Sequence, residues 1–268
     1  MAPTCPTILV FDSGLGGLTV FREVAKARPD AHFVYVADDA AFPYGTMPEE
    51  ALITRILHVI GKAIAEHKPD LVVIACNTAS TLALKELRTR CTVPFVGTVP
   101  AIKPACAQSK TKRVAVLGTQ ATVSREYTKT LIREFAAGCD VVLDGSPRLA
   151  SYAEAELAGT PVTDKEIAAE LAACFVDADG KRTDTVVLAC THYPLLLERF
   201  KANAPWPVDW IDPAPAIARR VADLLHEQPA ATASPPPPEM VFTSGRPPSP
   251  TLVKALAGYG FKPARQPV

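Results

Sequence analysis

Neither sign of charge is in excess in this 268-residue chain, where 28 basic residues meet 28 acidic ones. No global field therefore gathers nucleic acid or an anionic membrane surface, and recognition built on phosphate neutralisation is excluded as a general property. Apolar runs are short: none approaches the roughly 20 residues that cross a bilayer. The N-terminus, MAPTCPTILVFDSG, lacks the charged segment and apolar stretch of a leader. A cytoplasmic location with no membrane partner is the expectation. The seven cysteines show no C-x-x-C or C-x-x-C-H spacing, which argues against a zinc site or a disulfide framework and for free thiols in a reducing compartment. No long polar tract appears before residue 229, and with 48% apolar residues the chain can bury a core for one large or two small domains.

What the chain does have is alternation. Runs 7–12 (TILVFD), 32–37 (HFVYVA), 70–75 (DLVVIA), 113–118 (RVAVLG) and 184–189 (DTVVLA) are rich in β-branched residues and predict strands buried on both faces. Helical segments lie between them. The clearest spans 48–67, with Pro48 in the first turn and Leu52, Ile56, Val59, Ile60, Ala63 and Ile64 forming one apolar stripe. Others are expected to begin near Leu18, Thr78, Val123, Thr163, Pro194 and Ala214. Strands alternating with helices predict an α/β protein with mostly parallel sheets. TILVFDSG resembles RVAVLGTQ, and a cysteine-bearing strand follows each in the same order, so two pseudo-symmetric domains are the economical expectation. The Ala/Pro tract 229–238 predicts an exposed extended connector. After it, 239–245 (EMVFTSG) predicts a strand and 252–261 a closing helix.

The repeated device is chemical as well as architectural. DLVVIA runs into Cys76-Asn77-Thr78 and DTVVLA into Cys190-Thr191-His192, so both thiols follow a strand, where open parallel sheets bind ligands. At an ordinary pKa of about 8.5 only roughly 3% of a thiol is ionised at neutral pH, so activation is needed. A helix start directly after each cysteine is expected to supply N–H groups and a favourable dipole. A lone cysteine is more often a small buried packing residue, and Cys5, Cys91, Cys106, Cys139 and Cys174 are read that way. Two cysteines in one repeated setting suggest a matched pair of acid/base groups. The Asp12-Ser13-Gly14 stretch is by itself an ordinary strand-to-helix turn. GLGGL at 14–18 lacks the acidic partner of a nucleotide fold and is read as a tight turn with close helix packing.

The motifs FDSGLGGL (11–18), FPYG (42–45), ACNTAST (75–81), VPAIKPA (99–105), GTQAT (118–122) and ACTHYPLL (189–196) resemble, in order, those of the cofactor-independent glutamate racemases of the aspartate/glutamate racemase superfamily. The likeness runs through nearly the whole chain. It implies two α/β domains, 1–102 plus 213–268 and 103–212, with the active site in the cleft between them and the EMVFTSG segment returning to complete the first. It implies interconversion of L- and D-glutamate by two cysteines, without pyridoxal phosphate or metal, supplying D-glutamate for peptidoglycan. Stereoinversion needs a base on one face and an acid on the other, and reversibility needs each group to serve in both roles.

By the same resemblance Cys76 acts on D-glutamate and Cys190 on L-glutamate, Asp12 assists Cys76, and His192 assists Cys190. Ser13, Tyr44, Gly45, Asn77, Thr78, Thr119, Thr122 and Thr191, with Asp12 and His192, bind substrate, the two carboxylates being held by helix N-termini and neutral donors. Glu154 is expected to act behind them. Ser151 stands where relatives often have proline, and Asp39 and Ala41 where they have threonine and arginine, so the pocket edge is expected to differ there. The expected partner is the small-molecule substrate, with a homodimer as the assembly to consider. An aspartate racemase remains the near alternative, disfavoured because such enzymes typically carry glutamate where this chain has His192. A thiol redox protein or a non-catalytic amino-acid-binding module is the distant one, and redox pairing would need the two cysteine Cα atoms within about 7 Å.

Overall fold

The computed structural model describes residues 5–226 and 234–262. Strand β1 (Thr7–Asp12) is buried on both faces, Ile8 and Val10 entering one core cluster and Leu9 and Phe11 another. It runs parallel to β2 (His32–Ala37) on one side and β3 (Leu71–Ile74) on the other, and β4 (Phe95–Gly97) pairs with β3. In the second half, β5 (Arg113–Thr119) pairs with β6 (Asp140–Ser146). A small antiparallel hairpin of β7 (Asp177–Ala178) and β8 (Lys181–Arg182) follows. β9 (Thr185–Ala189) then takes the other side of β5, and β10 (Asp209–Ile211) pairs with β9.

The two sheets share one plan. The order β2-β1-β3-β4 in the first is repeated as β6-β5-β9-β10 in the second, which is the structural counterpart of the weak internal likeness in sequence. β11 (Glu239–Phe242) breaks the symmetry by adding, parallel, to the outer side of β2. Helices cover both faces, as parallel sheets require. On one face of the first sheet Leu52, Ile56, Ile60 and Ala63 of the helix Glu49–His67 are buried; on the other lie Leu18, Phe21 and Val24 of Leu18–Ala27, with Ile217 and Val221 of Ala214–Leu224.

Most expected elements are present, with local corrections. Pro48 precedes the first helical turn, its carbonyl accepting from Leu52 N. The helix expected near Val123 is two short ones, Gln120–Ser124 and Glu126–Phe135, separated at Arg125, whose backbone is extended. The closing helix is Pro250–Ala257. The connector 229–238 lies partly outside the described residues, and its described part, 234–238, has no regular secondary structure. β4, β6 and β10 were not expected from sequence: β4 and β10 are three residues long, and β6 (DVVLDGS) mixes two aspartates and a glycine into its apolar run.

Candidate active site

The carboxyl ends of the four central strands carry the residues singled out by sequence. Asp12 ends β1, Thr119 ends β5, Cys76 stands two residues past β3, and Cys190 follows β9 directly. Cys76, Cys190, Ser13, Tyr44, Gly45, Asn77, Thr78, Thr119, Thr191 and His192 all line one small cavity between the two sheets. Asp12, Thr122 and Glu154 stand behind its wall, bonded to residues that line it. No arginine or lysine is among the lining residues.

Cys76 is the N-cap of the helix Asn77–Arg90, and its sulfur accepts the Ala79 N–H at 3.4 Å. Its sulfur also lies 3.6 Å from Ser13 Oγ, a partner not anticipated for Ser13. Burial pushes the Cys76 thiol up to about 12, and the charge of Asp12 adds to this; the Ala79 N–H and Ser13 hydroxyl offset part of it, while a charge on Cys190 raises it further.

Cys190 is activated differently, and here the expected helix start is corrected. Thr191 and His192 intervene before a 3-10 turn, Tyr193–Leu196, and no backbone cap holds the thiol. Its partner is His192, whose Nδ1 lies 3.8 Å from Sγ. On the far side of the ring, Nε2 is 2.8 Å from Glu154 Oε1, which also accepts the Leu15 N–H at 2.6 Å. Burial disfavours charge on His192, yet the bonds to Cys190 and Glu154 prevail and hold its pKa well above the usual value. The ring thus stands between the two groups, Nδ1 facing Cys190 and Nε2 facing Glu154. Gly16 N also donates to Nε2, at 3.2 Å.

Glycine makes this approach feasible. A Cβ at Gly16 would collide with the His192 ring, and one at Gly14 with Glu154 Oε1, so GLGGL is the surface against which the second half docks. Asp12 fastens the same seam: it accepts from Gly14 N and, at 3.1 Å, from Thr191 Oγ1. Burial raises its pKa, opposed by the charge of His192.

Two polar features face the cavity without basic help. The hydroxyls of Thr78, Thr119 and Thr122, one from the first half and two from the second, form a triangle with separations of 3.0 to 3.3 Å. Asn77 is 2% exposed, and both its amide atoms are buried with no hydrogen-bond partner. Buried amides are rarely left unsatisfied, so this one fits a ligand group. Tyr44 presents its ring to the cavity, but its hydroxyl is committed to Asp38 Oδ2 at 2.5 Å. Sequence reasoning missed Asp38, for which no motif gave a signal. Phe42, inside the quoted FPYG, was missed as a wall that meets the His192 ring at a centroid distance of 5.3 Å.

Comparison with known proteins shows the family. The Asp/Glu/Hydantoin racemase family model matches residues 14–221. A glutamate racemase of Brucella canis is 50% identical over 263 residues, 98% of this chain and 95% of that protein. One from Sinorhizobium medicae is 51% identical, covering 96% and 95%. The crystal structure of Escherichia coli glutamate racemase with L-glutamate and the activator UDP-MurNAc-ala superposes with a TM-score of 0.88 at 38% identity, covering 96% of each chain.

Proposed function

The chain belongs to the glutamate racemases of the Asp/Glu/Hydantoin racemase family, and on that premise we propose that it interconverts L- and D-glutamate by proton transfer between Cys76 and Cys190. The observation that carries this is one small cavity holding two free thiols together with the unsatisfied amide of Asn77. With L-glutamate bound, Cys190 as thiolate removes the α-proton and Cys76 as thiol delivers one to the opposite face; D-glutamate reverses the roles. The His192 imidazolium, held by Glu154, stabilises the thiolate of Cys190. Ser13, the Ala79 N–H and Asp12 govern the proton on Cys76.

The carboxylates of glutamate are held by neutral donors: the Asn77 amide, the hydroxyls of Thr78, Thr119 and Thr191, and the N–H groups beginning Asn77–Arg90. Thr122 keeps the Thr78 and Thr119 hydroxyls aimed. Preorganised dipoles in a closed site favour the charge that develops as the α-proton leaves. We assign 1–102 with 213–268 to one domain and 103–212 to the other, a division supported by β11 joining the first sheet. Supply of D-glutamate for peptidoglycan in the cytoplasm, by a chain with glutamate as its partner and a homodimer as the assembly to examine, completes the proposal. Among the described residues no helix is long and apolar enough to cross a membrane.

The test is incubation of purified protein with L-glutamate in deuterium oxide, without pyridoxal phosphate or added metal, and with L-aspartate in parallel. Optical inversion and α-deuterium incorporation are expected for glutamate. Absence of both overturns the proposal, and preference for aspartate changes the substrate.

A further inference from the structure

Behind the Tyr44 wall of the cavity lies a second, fully buried acid. Asp38 follows β2 and is 0% exposed. Its carboxylate accepts from Tyr44 Oη at 2.5 Å, from Arg55 Nε and Nη2 at 2.7 and 2.6 Å, and from Thr243 Oγ1 at 2.6 Å. Burial works against its charge, but the bonds from Arg55, Thr243 and Tyr44 hold its carboxyl below the usual range.

Thr243 and Ser244 come from the far end of the sequence, just past β11. Thr243 N donates to Ala37 O at 3.0 Å, and Thr243 Oγ1 accepts from Ala40 N at 3.3 Å. Ser244 donates to Asp39 from its backbone N at 2.9 Å and from its hydroxyl. The turn 38–41 is thus gripped by the C-terminal segment, and directly after it Phe42, Pro43, Tyr44 and Gly45 form one wall of the cavity. Charge-assisted bonds of this length, shielded from water, fix orientation strongly.

We propose that Asp38 is a positioning residue for substrate binding and that Thr243, from the C-terminal segment, acts through it to set the Tyr44–Gly45 wall. This rests on the two-thiol racemase reading of the cavity. The segment after the proline tract is then part of the active site's framework, although none of its residues lines the cavity. Arg55 neutralises Asp38 from the helix side, Thr243 fixes it from the sheet edge, and the remaining acceptor capacity is spent on Tyr44. A misplaced wall weakens the hold on glutamate while the thiols keep their own partners, so KM suffers more than kcat.

The experiment is a double-mutant cycle on the full chain with Thr243→Val, Tyr44→Phe and both together, measuring kcat and KM in both directions beside the melting temperature. Thr243→Val is expected to raise KM roughly tenfold, the scale of a lost bond to a charged group, with kcat within about threefold; Thr243→Ser, which retains the hydroxyl, should return KM to the wild-type value. Because the effect passes through the Tyr44 tether, Thr243→Val should add little to Tyr44→Phe. Full additivity of the two KM effects, or an unchanged KM in Thr243→Val, overturns the proposal. Should Thr243→Val not fold, Thr243→Ala in the same cycle decides it by the same criterion. A wild-type protein that fails to racemise glutamate removes the functional reading itself. A wild-type racemase indifferent to these changes removes only the positioning role.

Discussion

Replacing Asp12 by asparagine should make the Cys76 thiol a stronger acid. The thiol sits near 12 against an ordinary value of 9.0, with burial the first cause and the Asp12 charge the second. That difference corresponds to about 4 kcal/mol against the thiolate, so at pH 8 only about one Cys76 in ten thousand is ionised. The introduced amide would keep a carbonyl acceptor for Thr191 or Gly14 and remove the charge. Each unit by which the pKa falls gives about ten times more thiolate, while the accompanying loss of nucleophilicity takes back about half of that gain on a logarithmic scale. A net increase of about threefold per unit is the expectation. The assay is iodoacetamide alkylation at pH 8 followed by peptide-resolved mass spectrometry, with the rate at Cys76 compared between wild type and Asp12→Asn. Cys106 and Cys174, both buried, serve as internal reporters of unfolding and should stay unmodified. An unchanged rate at Cys76 in a folded variant would refute the reasoning, because it would mean that no negative charge on Asp12 acts on the thiol.

Cys76→Ala and Cys190→Ala should each lower racemisation in both directions by about 10²- to 10⁴-fold without loss of the cooperative thermal transition; wild-type turnover in either variant ends the two-thiol mechanism. Asn77→Leu should move stability and function in opposite senses. Removing a buried amide with no protein partner relieves a desolvation cost of about 1 to 3 kcal/mol, so the ligand-free melting temperature should hold or rise while the melting shift produced by D-glutamate disappears. Glu154→Gln should alter the pH dependence of stability. His192 has a folded-state pKa raised above its unfolded value near 6.5, so its stabilisation is complete below pH 6.5 and is lost as pH rises from there through the raised value. The wild-type melting temperature should therefore decline across that window and the variant's should decline less; equal slopes would show that Glu154 does not support the imidazolium.

The framework was legible because the signals lie in long, uninterrupted apolar runs. β1, β2, β3, β5 and β9 are buried on both faces, and a strand so placed must be apolar throughout. The strands that were missed sit where that pressure is weaker: β6 has exposed positions, and β4 and β10 are too short to establish a pattern. The cavity residues were legible for another reason. They cluster just past strand ends in short polar strings, where each side chain answers to the cavity more than to the core. Asp38 escaped because its role is set by Arg55 and Thr243, 17 and 205 residues away in sequence, and no local pattern announces a bond formed by tertiary folding. The cap expected for Cys190 failed for a related reason: the strand motif is duplicated, but the helix after it is not.

That broken symmetry bears on how the two thiols share their work. Cys76 and Cys190 follow equivalent strands, β3 and β9, yet one sulfur rests on a backbone N–H at the start of a 14-residue helix and the other on the His192 ring. A charge on Cys190 also raises the Cys76 thiol, behind burial and the charge of Asp12. Burial and the charge of Asp12 favour a protonated Cys76, while Cys190 has the His192 ring beside it. The proposed mechanism asks for this difference with L-glutamate: a base on one face, Cys190, and an acid on the other, Cys76. In that mechanism one turnover of L-glutamate moves a proton from the Cys76 side to the Cys190 side and poises the site for D-glutamate. Resetting for another L-glutamate requires a proton to pass back between sulfurs with different surroundings. A racemase built this way balances its two directions through the Asp12 and Glu154–His192 contacts that set where the charge rests, rather than through identical thiols.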